Sequence, residues 1–244
     1  AIILAGEKMN RILIIESDNR FFFDQLKIEG IRAGHETGFN SAVKSEAEII
    51  VFNNVCISEK ELKEFPAFFQ KKTKLVFLNP CIHVIEYFEL KKGSLKTKNY
   101  AMIGNIPIQI LNSKEFVPSF PYANALNDEE NKSIGIGFEK FGSQILLFGF
   151  NYNQTIFHLN QGNDVVRDID GDGVLRIDDG ITVERKLKLI PQADVLRQFI
   201  VSLMEEKLSF PLPRIWFYPN KKKCGIIFSH DSDTATKDDI NALM

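Results

Sequence analysis

Three short, unbroken apolar runs dominate the first eighty positions. Arg11 to Ser17 reads R-I-L-I-I-E-S, Glu48 to Val55 carries I-I-V-F at its centre, and Lys74 to Leu78 reads K-L-V-F-L. Apolar runs of this length without polar alternation suit strands covered on both faces. Between the first two runs, Asp18 or Asn19 is placed to cap a helix over Arg20 to Ile31. Phe22, Leu26 and Ile28 fall toward one side of it, and Gly30 and Gly34 close the unit. Ser58 with Glu61 three residues on predicts a capping box ahead of Leu62, Phe65 and Phe69. Asn79 and Pro80 end the third run. Strands alternating with helices in this order require right-handed crossovers and a parallel sheet.

Beyond residue 80 the pattern changes. Ile106 to Leu111, Ser133 to Phe138 and Gln144 to Phe150 read as strands with no long helices between them. Asn112 to Asn131 holds two prolines and mixed polarity, which predicts a long loop. Pro191 to Leu208 predicts a helix with Val195, Leu196, Phe199, Ile200, Leu203 and Met204 on one stripe. Pro211 and Pro213 stop it. No internal repeat is visible.

Charge narrows the function. Thirty Lys plus Arg stand against 32 Asp plus Glu, a net charge of -2, without the basic excess of a nucleic-acid binder. Hydrophobic residues at 44% and charged residues at 25% are globular values, and 21 phenylalanines predict an aromatic core. No apolar run approaches the roughly 18 residues of a spanning helix. Ala1 to Gly6 is too short for a signal-peptide core. Met9 reads as a natural start, which makes residues 1-8 a leader or an added remnant. Cys56, Cys81 and Cys224 are odd in number and widely spaced, so they form no disulfide framework. They fit a reducing compartment without demanding one.

The sharpest motif runs from Asp168 to Asp179 (D-I-D-G-D-G-V-L-R-I-D-D). Asp168, Asp170 and Asp172 occupy loop positions 1, 3 and 5. Gly173 is at position 6, the Val174 carbonyl at 7 and Asp179 at 12. Calcium is a hard cation taking six to eight oxygens, and carboxylates clustered on a tight glycine turn suit it. The loop resembles the dockerin type of EF-hand loop, which ends in Asp. With no nucleophile beside it the calcium is expected to be structural, and it tilts localisation toward an extracytoplasmic setting.

The second motif is Gly225 to Asp233 (G-I-I-F-S-H-D-S-D), an apolar strand delivering two aspartates at its carboxyl end. Preceded by P-L-P-R-I-W-F-Y-P at 211-219, it resembles the opening of a NodB-like polysaccharide deacetylase domain. The resemblance implies Asp231 as general base and Asp233 as a ligand to zinc or another divalent metal. It also implies a pair of histidines three to five residues apart. His35, His83, His158 and His230 supply no such pair, so the site is expected to be completed beyond Met244.

The stretch from Ala47 to Pro80, with its two strands, Asn53-Asn54 and the Ser58 helix, resembles the class I glutamine-amidotransferase-like fold, closest to the ThuA-like and β-galactosidase-trimerisation branches. The likeness spans roughly residues 9 to 210. It implies an α/β three-layer domain with a mostly parallel, flavodoxin-like sheet and additional strands in its second half. Residues 211-244 then form a linker and the first strand of a truncated deacetylase-like domain. Amidotransferase chemistry needs a cysteine in a glycine-flanked elbow and a downstream His-x-Glu pair. Cys81 follows the third strand, but Pro80 and Ile82 flank it and no His-x-Glu occurs, so Cys81 reads as inert. A receiver-domain reading of Glu16 and Asp18 fails because Asn53 and Asn54 stand where the phosphorylated aspartate belongs. A flavodoxin reading fails because Ser17 to Arg20 is no phosphate cradle.

Two functions follow. The first is a non-catalytic accessory domain of a metal-dependent carbohydrate deacetylase, with a carbohydrate as the substrate of the attached domain. The second is a stand-alone module that binds a ligand or assembles subunits, compatible with a homo-oligomer. Neither requires an organic cofactor, and an active hydrolase within the chain is the weakest reading.

Overall fold

The structure, a computed structural model, describes residues 11-161, 173 and 190-209. The chain divides into two compact units, Ala1–Arg214 and Ile215–Met244, and every described residue belongs to the first.

The apolar runs form β1 (Ile12–Ile15), β3 (Ile49–Asn53) and β4 (Lys74–Leu78). Together with β2 (Gly34–Glu36) and β9 (Ser143–Phe148) they make the parallel half of a nine-stranded sheet. The order across the sheet is β2-β1-β3-β4-β9-β8-β7-β5-β6. Its first five strands follow the doubly wound, flavodoxin-like order. Both faces are covered, and side chains leave each strand with period two. Ile12, Ile14, Val51, Val76 and Phe148 point to one face, against α1 (Phe21–Ile28), α6 (Tyr152–Gln161) and α7 (Gln192–Glu205). Ile15, Ile50, Phe52 and Phe77 point to the other, against α2 (Phe39–Lys44), α3 (Glu59–Leu62), α4 (Phe65–Gln70) and α5 (Ile82–Tyr87). The aromatic residues divide unevenly: nine buried phenylalanines lie on the second face and four on the first. On the first face buried Arg197 ties α7 to α1 through Glu29 (2.6 Å) and Gln25 (3.2 Å).

The second half of the sheet is antiparallel. β5 (Leu90–Ile103) and β6 (Ile106–Pro118) form a long hairpin, followed by β7 (Ala123–Asp128) and β8 (Ser133–Lys140). This half curls, so that β6 returns to the chain leaving β9. The Lys114 amide donates to the Gly149 carbonyl at 2.6 Å, and the Asn151 amide to that of Leu111 at 3.1 Å. Side chains complete the seam: the Gln109 amide donates to Gln192 (2.9 Å) and the Leu111 amide to Thr155 (3.0 Å). A Cβ on Gly149 would lie 2.4 Å from the Lys114 carbonyl oxygen, so only glycine fits there.

Several expectations are corrected. Residues 112-131 are not one loop, because β6 continues to Pro118 and β7 follows; their mixed polarity reflects strands covered on one side only. Gly34 opens β2 rather than closing a helix. Neither Asp18 nor Asn19 caps α1: Arg20 stands at the N-cap with φ 51° and offers no side-chain bond. Ile28 is exposed and Phe23 takes its place in the core. The capping box at Ser58 and Glu61 forms as predicted, but the helix after it breaks into α3 and α4 before Pro66.

Candidate functional site

Doubly wound sheets gather ligands outside the carboxyl ends of their parallel strands, where the strand order reverses. Here that crevice lies between β1 and β3. Glu16 follows β1 and is buried, 1% exposed. Its carboxylate accepts from the Phe22 amide (3.0 Å), the Phe23 amide (2.9 Å) and Asn53 Nδ2 (2.7 Å). Asn53 Nδ2 also donates to Asn153 at 2.9 Å. The first amides of α1, which in dinucleotide and flavin proteins face a phosphate, are taken up by the chain's own carboxylate. The anion position is filled from within.

Chemistry collects instead one strand over. Asn53 pairs with Leu78 in register, so residues at equal distances past β3 and β4 are neighbours. One position past each strand, Asn54 (φ 55°) and Asn79 (φ 56°) both take the left-handed conformation, which asparagine tolerates better than most residues. Asn79 Nδ2 donates to Asn54 Oδ1 at 2.7 Å. Lys114 Nζ donates to Asn79 Oδ1 (2.6 Å) and to the Pro80 carbonyl (3.0 Å). Burial pushes the Lys114 ammonium below its ordinary value.

Three positions past each strand stand Cys56 and Cys81. A sulfur of each and a ring nitrogen of His83 lie within 4.8 Å of one another, with Cys56 exposed and the other two half-buried. The Ile57 backbone lies among them: its amide donates to Cys81 Sγ (3.4 Å), and its carbonyl lies 3.5 Å from that sulfur and 3.2 Å from His83 Nδ1. Interaction with the Cys81 thiol raises the Cys56 thiol above its ordinary value. His83 also lines a surface hollow of about 280 Å³ with Leu62, Lys63, Glu86 and Tyr87.

Cys81 is the N-cap of α5, with an ordinary extended backbone (φ -72°). The strained position after β4 belongs to Asn79 rather than to the thiol. Among the described residues no imidazole or carboxylate is hydrogen-bonded to Cys81 Sγ, and His83 is turned onto a carbonyl. Of the other histidines, His35 lies in β2 beside Phe23, and buried His158 in α6 bonds Gln109 at 3.1 Å. Asp168, Asp170, Asp172, Val174 and Asp179 lie outside the described residues, as do Cys224, His230, Asp231 and Asp233. Gly173 of the acidic loop is described and has φ 86°. The Cys56, Cys81 and His83 cluster was not predicted. Its signal is the equal offset of two cysteines from two adjacent parallel strands, which appears only once those strands are paired.

Fold and site together define a doubly wound α/β domain with a curled antiparallel extension and a thiol-imidazole cluster at the ends of its central strands. No family profile matches the chain, and no curated protein matches it. Among solved structures, a glutamine amidotransferase from Thermotoga maritima is similar over 82% of this chain and all of its own length, at 8% identity and TM-score 0.48. An exo-β-1,4-mannosidase from an Opitutaceae bacterium is similar over 61% of this chain, at 10% identity and TM-score 0.49. A GH42 β-galactosidase from G. stearothermophilus is similar over 63%, at 9% identity and TM-score 0.47. The chain spans about a third of the length of these glycosidases, 32% and 30% respectively. No helix among the described residues is long and apolar enough to cross a membrane.

Proposed function

We propose that this chain carries a non-catalytic α/β accessory domain of a metal-dependent carbohydrate deacetylase, whose catalytic part opens with Gly225 to Asp233. The observation that carries the non-catalytic half of this reading is the end of β4. There Cys81 stands at the N-cap of a helix, bonds the Ile57 backbone and has no hydrogen-bonded imidazole or carboxylate among the described residues, whereas an activated thiol needs a base oriented by a third group. The deacetylase half rests on the sequence alone. Asp231 is the general base and Asp233 one metal ligand. A metal that activates water needs about three protein ligands, so two ligands beyond Asp233 complete the site. The acidic loop holds a structural calcium through Asp168, Asp170, Asp172, the Val174 carbonyl and Asp179. The positive φ of Gly173 supports this, since the sixth position of such a loop makes the sharp turn.

Acetate release from acetylated chito-oligosaccharides, with zinc or cobalt added, tests the proposal. This chain should release none. A form extended through a His-x3-5-His pair should turn over and lose activity on Asp233→Ala. Turnover by the present chain that vanishes on Asp233→Ala overturns the accessory role, and an inactive extended form overturns the deacetylase assignment.

A further inference from the structure

We propose that Cys56, Cys81 and His83 are a binding site for a thiophilic divalent metal ion, zinc by preference. The donor set is two sulfurs and one imidazole nitrogen, a combination that suits zinc and disfavours the hard cations calcium and magnesium. Around a tetrahedral zinc, with bonds of about 2.3 Å to sulfur and 2.0 Å to nitrogen, ligand atoms stand roughly 3.5 to 3.8 Å apart. The three atoms lie within 4.8 Å of one another before any ion draws them in. Closing that gap takes about one ångström of side-chain movement, and exposed Cys56 is free to supply it by rotation.

The surroundings suit ligation. The Ile57 amide donates to Cys81 Sγ, a backbone hydrogen bond that orients the sulfur, as bonds from outside the ligand set orient metal ligands. Lys114, bonded to the carbonyl of the residue before Cys81, adds positive charge beside that sulfur. The Ile57 carbonyl lies 3.2 Å from His83 Nδ1. In the tautomer with its proton on Nδ1 the ring would donate to that carbonyl and keep the lone pair on Nε2, the backbone support that metal-bound histidines commonly have. Three protein ligands leave a fourth position open, as in sites that bind a water or an exchangeable ligand. Backbone register supports all of this, because β3 and β4 set the two cysteines side by side. The site is independent of the deacetylase reading and uses none of its residues.

Cobalt(II) and zinc(II) titrations of the reduced, metal-free full chain are the test. Cobalt should bind at one equivalent with an intense near-ultraviolet thiolate charge-transfer band and tetrahedral visible bands, and zinc should bleach both. Oxygen ligands at the acidic loop or at Asp231 and Asp233 give neither signal. Cys56→Ser and Cys81→Ser should each weaken zinc at least tenfold against a chromophoric chelator. His83→Gln should weaken it by a similar factor, and Cys224→Ser should leave it unchanged. Cys56 is exposed, so its variant folds even where Cys81→Ser does not, and thermal melts of each variant establish this. A missing charge-transfer band, or full affinity in Cys56→Ser, overturns the site. So does a reduced protein that takes up no metal while Cys56 and Cys81 oxidise to a disulfide.

Discussion

Glu16 is a buried carboxylate that joins a strand end, a helix start and a second strand. It does for α1 what a serine or aspartate cap does elsewhere, but from the end of a strand and across to a second strand through Asn53. Glu16→Ala strands two helix amides in a dry interior and leaves Asn53 Nδ2 with Asn153 as its acceptor. The loss should be about 3 kcal/mol, the range for hydrogen bonds to a charged group. Urea unfolding measures it, and a loss below about 1 kcal/mol would mean that water satisfies those donors. Glu48 makes a pH-dependent contribution. Bonding to Arg11 (2.5 Å), working against partial burial and helped by the Ser209 hydroxyl and amide, holds its carboxyl at about 2 against an ordinary 4.5. A carboxyl lowered by folding stabilises fully above its unfolded value and loses that contribution as pH falls. The stability difference between wild type and Glu48→Gln should therefore be constant from neutrality down to about pH 5. It should shrink below 4.5 and fade as pH falls through 2, as read by denaturant midpoints across that range; a difference undiminished at pH 2 contradicts the pairing.

At the scale of elements, the seam between β6 and the chain after β9 is the most demanding junction. Gly149→Ala sets a methyl 2.4 Å from the Lys114 carbonyl, and backbone has no rotamer with which to yield. The variant should lose about 2 kcal/mol or more, the cost of forcing atoms into a filled site. Hydrogen exchange should rise first at the Lys114 and Asn151 amides, and retention of wild-type protection at both would contradict this account. The sequence made the parallel strands plain because β1, β3 and β4 are apolar on both faces, a condition that leaves few alternatives. The β5–β6 ribbon was hidden for the opposite reason. β5 runs L-K-K-G-S-L-K-T-K-N-Y-A-M-I with only three of its fourteen residues buried and six exposed, so backbone pairing more than burial holds it, and pairing leaves no periodic mark. The cap of α1 was misplaced because a carboxylate four residues before the N-cap has no fixed spacing that a local motif describes. Of the candidate site, the sequence shows Cys81 with His83 two residues on, but nothing in it links them to Cys56 until the paired strands set that residue alongside.

At the scale of the whole molecule, a bound calcium on the 168-179 loop should appear as global stability, since a ligand that binds only the folded state raises the melting temperature by mass action. Chelation should lower the melting temperature, calcium should restore it, and Asp168→Ala and Asp172→Ala should abolish the response. Calorimetric heat that is absent in the wild type, or unchanged in both variants, removes the calcium assignment. The two faces of the sheet should also respond differently to truncation. Phe65 meets Phe39, Phe68, Phe77 and Phe88, so losses on that face propagate through a connected set of rings, whereas the first face holds isolated ring pairs such as Phe22 with Tyr152 and Phe148 with Phe150.

The curl of the antiparallel half also governs how copies of this chain meet. A sheet usually ends in a row of unsatisfied amides, which invites a neighbour to continue it and is the common start of fibrils. Here β6 spends its outer donors on Gln192, Thr155 and Gly149, and β2 at the other end offers only three residues. Among the described residues, both borders are therefore poor templates for a second molecule to add strands. Precipitation on concentration or warming would then report that the seam at Gly149 has come undone, well before the parallel core has melted.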